Sequence, residues 1–173
     1  MKNQKSPDRV VGTGSARNPK QNIITQSLNR LITKSPNRDF LIAGVGNEFK
    51  EYDKIGIEIA RKGKAIYPDK FYDCGIVPEN YLEQIVKTGI KTLIIVDAVH
   101  YGGNDEFKII LPEELSIGGI STHSVSLNLI TEYLKNYGIK TIIIGINPYH
   151  NTEETQTKIL SILFELIEVI PTR

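Results

Sequence analysis

The sequence lacks the features that mark secreted and membrane proteins. It contains a single cysteine, Cys74, so no internal disulfide can form, which suits a reducing cytoplasm. No apolar run approaches the roughly 20 residues that a membrane span needs. The N-terminus also lacks the apolar stretch of a secretory signal. We therefore expect a cytoplasmic protein without a membrane span.

Internal repeats are also absent, and the length of 173 residues suits one domain with its own hydrophobic core. The hydrophobic content of 40% and the charged content of 24% are ordinary for a globular protein.

The charges are unevenly distributed along the chain. Residues 1–38 carry eight Lys or Arg and one acid, a net charge of +7, and the remaining residues carry a net −6. A basic arm of this kind can bind nucleic acid or an acidic partner, or it can be a solvated tail. The arm has no aromatic residue on which a base could stack, which favours the solvated tail and argues against nucleic-acid binding.

This N-terminal region divides into two parts. Residues 1–21 are polar, contain glycine and proline and show no periodicity, so we expect a disordered arm. Between 22 and 34 the apolar residues recur at helical spacing, at Ile23, Ile24, Leu28, Leu31 and Ile32. We predict an amphipathic helix there, packed on the main body. It is the first element of a single α/β domain that spans 22–173.

The rest of the chain alternates apolar runs with helical patterns. The predicted strands are 40–45, 71–75, 91–97, 106–111 and 140–146, and the predicted helices are 53–62, 78–87, 125–137 and 152–170. The fourth strand follows the third after a loop too short for a crossover helix, so we predict that it is antiparallel. The pattern predicts a three-layer α/β/α sandwich around a mixed five-stranded sheet, mostly parallel with one antiparallel strand. Right-handed crossovers place the loops after the parallel strands on one edge of that sheet.

Three side chains converge at that edge. Asp53 opens the helix after the first strand, Asp97 ends the third strand, and His123 directly precedes a helix. Two carboxylates and an imidazole can bind a divalent metal and leave positions open for water or a substrate carbonyl. Simpler interpretations remain open, since an acid at a helix start is usually a cap and a histidine before a helix is usually a surface residue.

Other residues give weaker signals. His100 and His150 lie on predicted loops near the same edge, and we interpret them as solvent-facing or secondary. Cys74 could be a reactive thiol, although a buried small hydrophobe fits its place at a strand end better. Gly44-Val-Gly46 lacks the third glycine of a dinucleotide-binding fingerprint, because Phe49 stands at that position.

Five short blocks, in order, resemble the nickel–iron hydrogenase maturation endopeptidases. They are Gly44-Val-Gly-Asn47 with Asp53 and Gly56, Gly75-Ile-Val-Pro-Glu-Asn80, Leu93-Ile-Ile-Val-Asp97-Ala98 followed by Gly102, Thr122-His123 followed by Leu127, and Gly145-Ile-Asn147-Pro148. The resemblance covers roughly residues 39 to 170. It departs from the family pattern at Tyr52, where an acid is usual, at Lys54, where glycine is usual, and at Asn147, where glutamine is usual.

The resemblance implies a function and a site. It implies an aspartyl-type, metal-dependent endopeptidase that removes the C-terminal extension of a hydrogenase large-subunit precursor after nickel insertion. Asp53, Asp97 and His123 would be the metal-facing residues, and the metal would be nickel presented by the substrate, or zinc or another divalent ion in the same site. We expect a substrate loop at Asn47, Asp73, Gly75 and Asn147.

Two other functions stay open from the sequence. Peptidyl-tRNA hydrolases also begin with a strand, a Gly-x-Gly-Asn turn and a tyrosine, which Tyr52 could match, but residues 53–65 contain no histidine to complete their pattern. A maturation factor that binds nickel or a hydrogenase subunit without cleaving it would fit the departures at Tyr52 and Lys54.

Overall fold

The computed structural model describes residues 19–33, 39–115 and 124–168. The strands are β1 (Phe40–Val45), β2 (Phe71–Gly75), β3 (Thr92–Ala98), β4 (Phe107–Ile110) and β5 (Lys140–Ile146). The helices are α1 (Pro19–Thr33), α2 (Ile55–Lys64), α3 (Leu82–Lys87), α4 (Ser124–Asn136) and α5 (Glu153–Glu168). Short 3-10 turns cover Pro78–Tyr81, Pro112–Glu114 and Pro148–His150.

The five strands form one mixed sheet in the order β2-β1-β3-β5-β4. The β1–β2, β1–β3 and β3–β5 pairs are parallel, and β4 pairs antiparallel with β5. The predicted mixed sheet with one antiparallel strand is therefore confirmed. Although β4 follows β3 in the chain, it lies at the sheet edge beside β5, because β5 is inserted between them.

Helices cover both faces of the sheet. All residues of β1 and β3 are buried, as expected for central parallel strands with both faces covered. Side chains alternate along β3, so Ile94 and Val96 pack in the core layer shared with α1, α2 and α5. Leu93 and Ile95 pack in the opposite layer, with α3 and α4. The two layers around the sheet confirm the predicted α/β/α sandwich.

Several element boundaries differ from the sequence prediction. Helix α1 already begins at Pro19, three residues before the predicted start, and proline is well suited to a first helical position. Helix α2 begins at Ile55 rather than at Asp53, and β3 extends one residue beyond Asp97. The predicted disordered arm covers residues 1–21: residues 1–18 lie outside the described residues, so their disorder stays a prediction, whereas residues 19–21 belong to α1.

None of the helices in the described ranges is long and apolar enough to cross a membrane.

Candidate functional site

The site is built around the point where the sheet order changes direction. From β1 the chain runs to β2 on one side, and then crosses to β3 on the other side of β1. Loops that leave neighbouring strands in opposite directions open a crevice at their carboxyl ends, which is where α/β proteins bind ligands. Gly56 sits over this point: a Cβ there would overlap the carbonyl oxygens of both Val45 and Val96. Helix α2 therefore starts directly against the ends of β1 and β3.

Asp53 is held in this crevice by a hydrogen-bonded turn. The Asn47 amide donates to the Asp53 carbonyl at 3.2 Å, and the Asp53 amide donates to the Lys50 carbonyl at 2.9 Å. Gly46 has a φ of +149°, and a Cβ on it would overlap the Asp53 carbonyl oxygen, so the turn requires glycine there. The Asp53 side chain is only 7% exposed. The N-cap position of α2 belongs to Lys54, so the interpretation of Asp53 as the capping residue is wrong.

Asp97 enters the same region from β3. It is fully buried, at 0% exposure, and it pairs in register with Gly145 of β5. Successive side chains of β3 point to opposite faces of the sheet, so Asp97 lies on the same face as Leu93 and Ile95. A carboxylate buried at the end of an apolar strand carries a desolvation cost, so its presence there needs a chemical reason.

The third predicted ligand, His123, lies outside the described residues. Within the described ranges, no group of three His, Cys, Asp or Glu side chains is arranged to hold a metal ion. The structure thus places Asp53 on the loop after β1 and Asp97 near the end of the adjacent strand β3, and the complete Asp–Asp–His set stays a prediction. Carboxylate and imidazole donors are chemically suitable for a divalent ion such as nickel or zinc.

The four residues predicted for a substrate loop all lie at this edge of the sheet. Asn47 follows β1 and Asn147 follows β5, while Asp73 and Gly75 belong to the end of β2. The Gly75 amide donates to Asp73 Oδ1 at 3.1 Å, and the Gly75 carbonyl accepts from the Gly46 amide at 3.0 Å. The end of β2 is thereby fixed to the turn that carries Asp53.

Arg61 also contributes to the structure around the site, although the sequence did not indicate it. It projects from α2 and donates to Asp73 Oδ2 at 2.6 Å and to Glu48 Oε2 at 3.1 Å. These hydrogen bonds raise the pKa of the Arg61 guanidinium, that to Asp73 having the larger effect. Arg61 thereby joins the loop after β1 to strand β2. Its partners are 12 and 13 residues away, so no local spacing could have revealed the link.

Lys54 stands where the resembled family usually has glycine, and it changes the site less than its positive charge suggests. Its φ of −84° and ψ of −11° are ordinary for any residue, so this position does not need glycine. The ammonium group contacts Glu51 at 2.8 Å and Glu58 at 3.3 Å. The hydrogen bond to Glu51 raises the pKa of Lys54, and the two acids compensate its charge.

Cys74 and two of the histidines are the remaining candidates from the sequence. Cys74 is buried, and burial raises the pKa of its thiol to about 12, which confirms a buried small hydrophobe rather than a reactive thiol. His100 is exposed, with its ring centroid 6.1 Å from that of Tyr149. His150 is half-buried in the 3-10 turn after β5.

Comparison with known proteins identifies the family of the chain. The sequence pattern of the hydrogenase maturation protease family matches residues 42–168. A candidate hydrogenase maturation protease from Methanocaldococcus jannaschii is 26% identical over an alignment of 159 positions, which covers 80% of this chain and 94% of the relative. A second candidate hydrogenase maturation protease from the same organism is 30% identical over 115 residues, or 62% of this chain and 75% of the relative.

Solved structures give the same result. The crystal structure of the nickel–iron hydrogenase maturation protease HycI from Thermococcus kodakarensis KOD1 superimposes with a TM-score of 0.69 at 26% identity, covering 82% of this chain and 99% of that one. The resemblance noted in the five sequence blocks is confirmed, and the chain belongs to the hydrogenase maturation protease family.

Proposed function

We propose that this protein is an endopeptidase that removes the C-terminal extension of a nickel–iron hydrogenase large-subunit precursor after nickel insertion. The observation that carries the proposal is the placement of two buried carboxylates at the carboxyl ends of adjacent parallel strands, Asp53 on the loop after β1 and Asp97 near the end of β3, at the sheet's switch point. Family membership supplies the peptidase class, and these two acids supply the polar groups around which hydrolysis can take place.

The proposed roles follow from the donor chemistry. Asp53, Asp97 and His123 would face the nickel that the precursor brings, and a zinc or other divalent ion could use the same donors. A cation between carboxylates offsets part of the cost of burying them. When present, the metal would polarise the scissile carbonyl or activate water. The chain's own part is to hold the acids at the crevice through the Gly46 turn and the packing of Gly56.

The chemistry of the single thiol supports a proposal for the compartment. We place the reaction in a reducing cytoplasm, where the buried and unpaired Cys74 is at no disadvantage.

The proposal is tested by mass spectrometry of nickel-loaded precursor after incubation with the purified protein. We expect loss of the C-terminal extension, and we expect no loss when the precursor lacks nickel. A precursor that is bound but keeps its full mass would instead identify a non-catalytic maturation factor.

Substitutions separate the proposed ligands from their surroundings. Asp53→Asn and His123→Ala should each abolish trimming, because each removes a metal-facing donor. The matched control His150→Ala should trim at the wild-type rate. Normal trimming by both ligand variants would show that the assigned residues are wrong even if the protein is a protease.

A further inference from the structure

Large apolar side chains are exposed around the site to an unusual degree. Among the described residues, five of the nine exposed large hydrophobics lie on loops that follow β1, β2 and β5. These five, Phe49, Tyr52, Ile76, Val77 and Tyr149, are called the apolar rim below. The other four are distributed over α1, α4 and the turns at the opposite edge. Clustered apolar exposure of this kind marks interaction surfaces, whereas isolated exposed residues do not.

The two most exposed members of the rim stand on matching turns. Phe49 is 90% exposed and Tyr149 is 85% exposed. The Phe49 amide donates to Asn47 Oδ1 at 3.0 Å, and the Tyr149 amide donates to Asn147 Oδ1 at 3.1 Å. In both turns the asparagine carbonyl also accepts the amide three residues on, from Lys50 at 3.0 Å and from His150 at 2.8 Å. In both loops, an asparagine within two residues of the end of a buried strand fixes a turn that exposes an aromatic side chain to solvent.

These two turns are also tied to each other. The Asn151 side-chain amide donates to the Glu51 carbonyl, which links the segment after β5 to the turn after β1. Fixed turns hold Phe49 and Tyr149 outward before any partner arrives. Preorganised aromatic residues lose little conformational entropy on binding, which is why they serve as anchors at protein interfaces.

Apart from Lys50, whose ammonium lies 5.9 Å from the centroid of the Tyr52 ring, several charges beside the rim are paired within the protein. Glu48 pairs with Arg61, and Lys54 lies between Glu51 and Glu58. A surface whose charges are already compensated favours an apolar partner surface over a strongly charged one.

The spread of the rim indicates a folded partner. In the strand order, β2 and β5 are separated by β1 and β3, so their loops lie three strand spacings apart, or about 14 Å. An extended peptide in the crevice is one strand wide and cannot cover both sides of it. The three aromatic residues of the rim are 90%, 85% and 53% exposed. At about 150–250 Å² for a whole aromatic residue they could bury roughly 340–570 Å², which is about half of the ~800 Å² per partner of a standard interface.

We propose that the apolar rim docks the folded body of the large-subunit precursor through an apolar patch of that body, while the extension enters the crevice between the two turns. This inference rests on the proposed function and names the surface through which the substrate is recognised. Phe49 and Tyr149 are its anchors, and Asn47 and Asn147 are positioning residues.

The test compares cleavage kinetics on nickel-loaded precursor. Phe49→Ser and Tyr149→Ser should each raise KM by roughly tenfold or more with little change in kcat, because they remove binding that is equal in ground and transition states. The matched controls Leu129→Ser and Tyr137→Ser replace side chains that are 65% and 52% exposed away from the rim, and they should leave KM within about twofold. Asn147→Ala should raise KM less than Tyr149→Ser, since the ring remains but its turn loosens.

A second measurement identifies the occupant. A nickel-loaded large subunit from which the extension has been deleted should still bind the wild-type protein, and Phe49→Ser should weaken that binding by roughly tenfold or more. Absence of binding to the wild type, or equal binding by the variant, would overturn the assignment of the rim to the folded body. Normal KM for the rim variants would overturn it while leaving the proposed function intact. Failure of the wild type to trim the precursor would contradict the proposed function itself.

Discussion

The two edges of the same sheet differ in what they carry. At the carboxyl edge, irregular loops enclose the buried Asp53 and Asp97 and expose the apolar rim. At the amino edge, helices return to strands through tight turns whose glycines, Gly89 and Gly138, have φ values of +74° and +71° with nothing within 4 Å of an added Cβ. The amino edge connects helices to strands through short turns. The carboxyl edge is packed tightly enough to hold two buried carboxylates, whose desolvation is unfavourable.

The size of a cavity does not show which of the two edges holds the functional site. A cavity of 540 Å³ lies at the amino edge between α4 and the turn after β4, and the charged side chains in its wall include the exposed Glu113, Glu132 and Lys135. Solvated charges of this kind are ordinary surface. The buried carboxylates locate the candidate chemistry better than the volume of a cleft does.

The largest effect that separates the edges should come from glycine substitution. Gly46→Ala forces a Cβ into the Asp53 carbonyl at a positive φ, so we expect it to reduce the free energy of unfolding by roughly 3 kcal/mol or more. Gly138→Ala meets only backbone strain in open space and should cost about 1–2 kcal/mol. Urea unfolding of both variants measures the difference. Equal losses would mean that the Asp53 turn is no more constrained than an ordinary helix end.

A smaller effect should be present at neutral pH and disappear in acid. At the carboxyl edge, Lys20 of α1 hydrogen-bonds to Asp105 in the loop before β4, and this bond lowers the pKa of the Asp105 carboxyl. A carboxyl pKa that is lower in the folded state contributes stability above its unfolded value of about 3.9, and that contribution is lost as the pH falls through the folded value. Asp105→Asn should therefore melt slightly below the wild type at neutral pH and converge with it in strong acid.

Lys20→Gln gives the matched test of that ion pair, because it removes the other partner. Its melting temperature should follow that of Asp105→Asn at neutral pH. A gap from the wild type that is unchanged between neutral pH and strong acid would show that Asp105 acts through something other than its charge.

Sequence reasoning predicted the parts of this fold that local patterns determine. The unbroken apolar run of β3 with one acid near its end placed Asp97 correctly to within one residue of the strand terminus. The short loop after β3 predicted an antiparallel β4, but the insertion of β5 between them depends on packing across the sheet. The prediction of Asp53 as a helix start failed because backbone hydrogen bonds to Asn47 and Lys50 close a separate turn before α2 begins.

The side-chain links around the site were beyond local patterns. Arg61 reaches the loop after β1 and strand β2, which only the folded sheet brings together. Asn47 and Asn147 were predicted as substrate-loop residues, and the structure shows that each one fixes a turn. The equivalence of these turns could be recognised only after the two strands were placed in one sheet. The part of the prediction that concerns His123 stays open, since it lies outside the described residues.

The central claim is that buried carboxylates at the carboxyl edge carry out proteolysis, and Asp97 tests it most directly. The measurement is the initial rate at which nickel-loaded precursor loses its extension, followed by mass spectrometry, for the wild type, Asp97→Asn and Asp69→Asn. Asp69 is an exposed acid at the amino edge, before β2. We predict that Asp97→Asn slows trimming by roughly a hundredfold or more while remaining folded, and that Asp69→Asn trims like the wild type. Trimming by folded Asp97→Asn at the wild-type rate would contradict the account.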